Sequence, residues 1–192
     1  MKTSVRERIL ETASDLFYEK GYNLTGINEI IEKAGVAKAS LYSHFRSKED
    51  ICLAYLVRMD GILVNDLRAF LKEKPKGKKG ILAIFDFLTQ FYQQEGFRGC
   101  WCLNTISEIP RDNVKIKAEI FKQKKAFMRL LEEIVSENLP EAEQQKVERI
   151  SRRIYLLYEG AISESQLQDD HWPIAEAKEM AEGMIWKHSF CK

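Results

Sequence analysis

Residues Thr25 to Lys48, TGINEIIEKAGVAKASLYSHFRSK, leave this chain few ways to fold. Ile27, Ile30, Ile31 and Ala34 recur at helical spacing and give a short helix one apolar face. Gly35 follows where that helix needs a left-handed stop, which glycine adopts without a Cβ penalty. Val36 and Leu41 are spaced to tuck back under the helix, and Phe45 to close the cluster. Lys38, Ala39, Ser40, Tyr42 and His44 are then left on the outside of a second short helix. Small, hydroxyl, aromatic and basic side chains on one exposed face suit a DNA major groove.

Charge points the same way only locally. The 192 residues carry a formal net charge of +1, which is no global signal for nucleic acid. Between Glu32 and Glu49, however, there is no acidic residue, while Lys33, Lys38, Arg46 and Lys48 are basic. Local positive charge on a near-neutral chain fits a small DNA contact surface, and chance clustering is the competing account.

The stretch resembles the DNA-binding domain of the TetR-type (TetR/AcrR) transcriptional regulators. The resemblance runs from about Arg6 to Leu56. It includes the leading helix RERILETASDLFYEKGY, then Thr25, then the apolar helix ending Ala34-Gly35-Val36, and the run LYSHFRSKE. It implies an all-α fold of about nine helices. Residues 1–47 would form a three-helix helix-turn-helix head, and residues 48–192 a six-helix body for ligand binding and dimerisation. By matched position, Lys38 would touch phosphate or a guanine edge, with Ala39 and Ser40 at the groove floor. Thr25, Tyr42, His44 and Lys48 would bind phosphate. Gly26 stands where relatives commonly have Ser or Thr, which removes one phosphate contact from that candidate position. Ala37 stands where many have a capping Ser, a loss of about 1 kcal/mol in typical helices.

The rest of the chain reads as helices. Ser4 with Glu7 forms a capping-box pattern ahead of the stripe Ile9, Leu10, Ala13, Leu16 and Phe17, and Gly21 ends that helix. The Thr25 hydroxyl is placed to cap the next one. Ser47 and Asp50 open a helix to about Lys72, about 38 Å long at 1.5 Å per residue. KEKPKGKKG is a polar basic linker with Pro75, Gly77 and Gly80 as breakers, expected to be a solvated corner, with a second phosphate-binding patch as the competing account. A helix from Ile81 ends near Gly96, and a short, largely buried one runs from Cys100 to Ile109. Asp112 opens the next, which ends near Asn138. Long helices follow from Glu141 to Gln168 and from Pro173 to His188.

For the body, the family architecture implies a pocket among the central helices. Candidate lining residues are Leu63, Phe85, Leu88, Phe91, Trp101, Asn104, Phe121, Met128, Tyr155 and Tyr158. It also implies a homodimer through the last two helices, with Ile154, Ala161, Ser165, Ala177, Ala181, Met184 and Ile185 as candidates. The competing account is that both stripes face the monomer's own core. The partners implied are a double-stranded, palindromic operator and a small apolar or aromatic effector whose binding releases a repressor.

Other chemistry finds little footing. No Gly-rich phosphate loop, HExxH or G-x-S-x-G is present, and His44, His171 and His188 are scattered. No enzyme, metal or cofactor is expected. Cys100 and Cys102 allow a redox- or electrophile-responsive alternative, and a protein partner in place of a ligand is another. With no membrane-length apolar run and no signal-peptide core, a cytoplasmic protein is expected. Its four thiols, Cys52, Cys100, Cys102 and Cys191, should then be reduced.

Overall fold

The structure, a computed structural model, describes residues 3–187; His188 and Cys191 lie outside them. Among the described residues there are nine helices and no strand, as the all-α reading expects. They are α1 (Val5–Lys20), α2 (Ile27–Lys33), α3 (Lys38–His44), α4 (Lys48–Lys72), α5 (Lys78–Tyr92), α6 (Trp101–Glu108), α7 (Val114–Asn138), α8 (Gln144–Gln168) and α9 (Trp172–Lys187). By packing, the chain divides into two compact units, Met1–Leu63 with Cys100–Gln123, and Val64–Gly99 with Lys124–Lys192. Helices α4 and α7 each contribute to both units.

Most helix ends follow local chemistry. Ser4 Oγ accepts the Glu7 N–H at 3.1 Å and starts α1. Ser47 Oγ accepts from Asp50 N–H at 3.1 Å, while Asp50 Oδ2 accepts from Arg46 N–H at 3.1 Å, so the start of α4 is capped from both sides. Three ends differ from expectation. Asn113, not Asp112, caps α7, with its Oδ1 accepting from Ile116 N–H at 3.0 Å. Helix α8 begins at Gln144, because the chain after Pro140 first makes a turn in which Ala142 N–H bonds to Leu139 carbonyl at 2.9 Å. Gly80 is no breaker. It lies inside α5, buried where a Cβ would strike Asn138 Oδ1 and the Pro75 carbonyl.

The first unit is built on Ile9, Leu10, Ala13, Leu16 and Phe17 of α1, with Ile30, Leu41, Phe45, Ile51 and Tyr55. Phe17 stands at the centre, its ring 5.6 Å from that of Tyr22 and 5.5 Å from that of Tyr55. Cys52, Cys100 and Cys102 are buried in this unit, and burial pushes the Cys52 thiol up to about 12. A thiol reacts as its thiolate, so burial opposes the sensor alternative. Native protein treated with iodoacetamide at pH 7.5 is expected to show almost no label at these three positions by peptide mapping, and full label in 6 M guanidinium. Rapid native labelling of Cys100 or Cys102 would revive the thiol-sensing account.

In the second unit α5 is apolar nearly all round and packs against α8 and α9. Helices α8 and α9 also pack along each other. Their facing stripes hold Ile154, Tyr158, Ala161 and Ser165 on α8, and Ile174, Ala177, Ala181 and Ile185 on α9, all buried. Six of the seven residues expected at a subunit interface are among them. Ile154, Ala161, Ser165, Ala177, Ala181 and Ile185 fill the core of their own unit, because α5 needs two apolar neighbours to cover it. Met184 alone of the seven is partly exposed.

The residues expected to line a pocket are spread over both units. Phe85, Leu88 and Tyr158 are core of the second unit, and Phe127 sits between Tyr155 and Tyr158 at ring distances of 6.3 and 5.0 Å. Phe91 packs edge-on against Phe97 at 5.5 Å. Phe121 is 70% exposed, so it lines no apolar cavity. Trp101 is buried in the first unit with its indole N–H unpartnered, and Asn104, Leu63 and Met128 are partly exposed. The two cavities described are lined by none of these ten residues.

Candidate nucleic-acid interface

The reading face is set by three short-range facts. Gly35 takes φ +61° at the end of α2, and Val36 N–H reaches back to the Ile31 carbonyl at 3.2 Å, which turns the chain sharply into α3. Leu41 and Phe45, four residues apart, are buried on α1 and α2 and fix which side of α3 faces inward. Lys38, Ala39, Tyr42, Ser43 and His44 are consequently exposed, and Ser40 is partly so. The N-cap Ala37 makes no side-chain cap, as its residue type requires.

The surroundings neutralise little of this charge. Glu29 is occupied by Lys20 Nζ at 2.5 Å and Lys33 Nζ at 3.5 Å, and the Lys20 hydrogen bond holds its carboxyl below the usual range. The Arg6 guanidinium lies over the Phe45 ring, 5.1 Å from its centre, so a cation also sits at the end of α3. Sequence reasoning passed over Ser43, whose Oγ donates to Ser40 carbonyl at 2.8 Å and remains exposed.

Two expected contacts are placed differently. Thr25 is fully buried, and its Oγ1 donates to the Gly21 carbonyl at 2.8 Å and to the Leu16 carbonyl at 3.2 Å. It neither caps α2, whose N-cap is the exposed Gly26, nor offers a hydroxyl to phosphate. Thr25 instead ties the α1–α2 corner to α1. Thr25→Val is expected to cost about 1–2 kcal/mol of stability in urea denaturation by removing the hydroxyl proton that the Gly21 and Leu16 carbonyls share. Operator affinity per folded molecule should stay within a few-fold of wild type, whereas a phosphate-binding hydroxyl would show a loss of affinity at unchanged stability. Lys48 is partly buried, its ammonium 4.3 Å from the centre of the Tyr22 ring; burial lowers its pKa, against the field of Cys52 and Glu108.

The sequence also concealed two ties that hold α6 and α7 onto these helices. Glu108, at the end of α6, accepts Asn23 N–H at 2.7 Å, and Asn23 Nδ2 donates to Glu108 carbonyl at 2.8 Å. The Glu108 carboxylate fills the space beside Gly21 that a Cβ would need. Glu49, in the first turn of α4, accepts from Asn113 Nδ2 at 2.9 Å and Lys115 Nζ at 2.8 Å. The Lys115 hydrogen bond lowers the Glu49 pKa. That tie therefore persists above the ordinary carboxylate range and is lost as pH falls through the lowered value.

Comparison with known proteins agrees with this geometry. Residues 9–55 match the family model described as bacterial regulatory proteins, tetR family. The chain is 35% identical over 97 residues to the HTH-type transcriptional activator FasR of Mycolicibacterium smegmatis, across 48% of this chain and 43% of FasR. It is 24% identical over 136 residues to the fatty acid metabolism regulator protein of Bacillus subtilis, across 71% of this chain and 69% of that protein. The chain thus matches less than half the length of FasR. A solved TetR-family transcriptional regulator of Streptomyces coelicolor superposes with a TM-score of 0.84 at 26% identity, over 95% of both chains. All three are named as regulators, in line with the expectation that the chain is not an enzyme. The turn at Gly35, the inward Leu41 and Phe45, the outward face of α3 and the match over residues 9–55 lead to one conclusion: residues 9–55 are a segment of the tetR family of bacterial regulatory proteins.

Proposed function

We propose that the chain is a DNA-binding transcriptional regulator that reads a palindromic operator as a homodimer. A small apolar or aromatic ligand in the 48–192 body would release it, which makes it a repressor where the operator overlaps a promoter. The observation that carries the reading is the exposed face of α3, where Lys38, Ala39, Ser40, Tyr42 and His44 project from a helix anchored by Leu41 and Phe45. Lys38 would meet phosphate or a guanine edge, Ala39 and Ser40 the groove floor, and Tyr42 and His44 the phosphates. The same reader bound upstream of a promoter would activate, and activator is the name that FasR carries. Selection from a random DNA library with purified protein tests the reading. Enrichment of a palindrome is expected, and its position in promoters decides the sign of regulation. No enrichment from ligand-free protein would overturn the reading.

A homodimer needs a surface, and the outward stripes of the last two helices supply one. On α8, Leu156 is 68% and Leu167 76% exposed, with Gly160 between them open where a Cβ would stand. On α9, Trp172 is 49% and Met180 59% exposed. Positions 156, 160, 163 and 167 recur at spacings of four, three and four, the stripe of a helix that packs against another. Two half-sites one DNA turn apart, roughly 34 Å, then require two linked readers. Leu156→Asp with Met180→Asp is expected to convert a dimer to a monomer by sedimentation velocity and to weaken operator binding at least about 10²-fold, since the second half-site no longer binds intramolecularly. A dimer that survives both changes would move the interface elsewhere.

Release would proceed as a population shift. Ligand binding would favour a different placement of α4 and α6, and the Glu108–Asn23 and Glu49–Lys115 ties would pass that displacement to α1, α2 and the start of α4. The two recognition helices would then lose the spacing of one DNA turn. An effector with proven binding that leaves operator affinity unchanged would sink this mechanism.

A further inference from the structure

We propose that the corner formed by the end of α4, the α4–α5 turn and the end of α7 binds a small phosphate-type anion of about pyrophosphate size. Its residues are not those of the reading face. The sequence concentrates cations there: Arg68, Lys72, Lys74, Lys76, Lys78 and Lys79 lie within twelve residues, against the single acid Glu73. The fold turns this run around a recess. A cavity of about 220 Å³ has Arg68, Lys72 and Lys76 on its walls, against one carboxylate, Glu137. Its floor is apolar, from Leu71 and Ile134. A second cavity of about 260 Å³ adjoins it across Asn138 and is flanked by Lys78 and Lys146, with Glu141 as its carboxylate.

The ion pairs present are of the replaceable kind. Arg68 pairs with Glu133 at 2.7 Å and Lys76 with Glu137 at 3.6 Å, and all four side chains are more than half exposed. Exposed pairs of this type are weakly held. Lys72 makes no ion pair among the described residues. An entering dianion would trade such loose pairs for charge-assisted hydrogen bonds from several cations at once.

The recess itself is pinned. Asn138 is buried at the shared wall, its Nδ2 donating to the Ile134 carbonyl at 2.8 Å and its Oδ1 accepting from Gly77 N–H at 2.9 Å. Gly80 leaves the room that this amide occupies. The volume is below the usual size for a drug-like ligand, and it accommodates a compact anion with a few waters. Three cations to one carboxylate favour an anion over a cation.

The test is calorimetric titration of full-length protein with sodium pyrophosphate at low ionic strength. Wild type, Lys72→Gln/Lys76→Gln and Lys38→Gln would be compared, each first shown to melt like wild type. Saturable binding is expected at one site per chain, weakened about tenfold or more in the corner variant. Binding should be unchanged within about twofold in Lys38→Gln, which lies on the reading face and separates this proposal from that one. Gly80→Ala is a second probe, since it crowds Asn138 without altering charge, and it too should weaken binding. No saturable heat, or an equal loss in Lys38→Gln, would overturn the proposal. Retention on heparin with no pyrophosphate binding would also overturn it, in favour of a general polyanion surface.

Discussion

Lys38→Glu is expected to lower operator affinity by roughly 30-fold to 10⁴-fold in the full-length protein, with no change in fold. The range follows from the two readers of the proposed dimer. Each protomer would forfeit an interaction of about 1–3 kcal/mol with a base edge or phosphate, and every 1.4 kcal/mol is tenfold. Lys38 is the first residue of α3 and is exposed, so reversing its charge removes no packing. No acidic side chain lies between Glu32 and Glu49 to mask the reversal. Lys33→Glu is the matched control. Lys33 is already paired with Glu29 at 3.5 Å and stands on α2, so the same charge change there should cost far less affinity. Titration of a fluorescent operator at several salt concentrations gives both readings. The slope against salt should fall by about one for each phosphate that a reader no longer neutralises. Equal effects of the two substitutions would mean that α3 supplies only diffuse positive charge.

The second large effect is on stability. Leu41→Ala should destabilise the first unit by about 3–5 kcal/mol, the range for large-to-small changes at sites that cannot collapse. Leu41 is fully buried, and on a seven-residue helix it shares the task of holding α3 with Phe45 alone. A helix this short has little stability of its own, so removing its anchor frees the reading face. Urea denaturation followed by tryptophan fluorescence and circular dichroism should show an early transition that wild type lacks. Operator binding should be abolished before the bulk of the helical signal disappears. Stability within about 1 kcal/mol of wild type would mean that Phe45 and the turn at Gly35 hold α3 unaided.

Local chemistry made the reading face legible. A left-handed glycine, two apolar residues four apart and a run without carboxylates act over a dozen residues, and none depends on distant chain. The caps at Ser4 and Ser47 were legible for the same reason. Thr25 was not, because a hydroxyl beside a helix start is equally suited to capping forward and to bonding back. The carbonyls it bonds back to, Gly21 and Leu16, lie four and nine residues earlier.

The longer-range assignments lay beyond periodicity altogether. Asn23 and Glu108 meet across 85 residues, and Glu49 and Lys115 across 66. Helix α8 carries apolar residues on two faces, Ile154 and Ala161 on one and Leu156 and Leu167 on the other. A 3.6-residue period identifies both and ranks neither. The ranking came from α5, which is apolar nearly all round and draws the inner faces of α8 and α9 onto itself. Which stripe stays free for a second subunit is therefore a matter of competition for burial among helices distant in sequence, and short-range patterns carry no information about it.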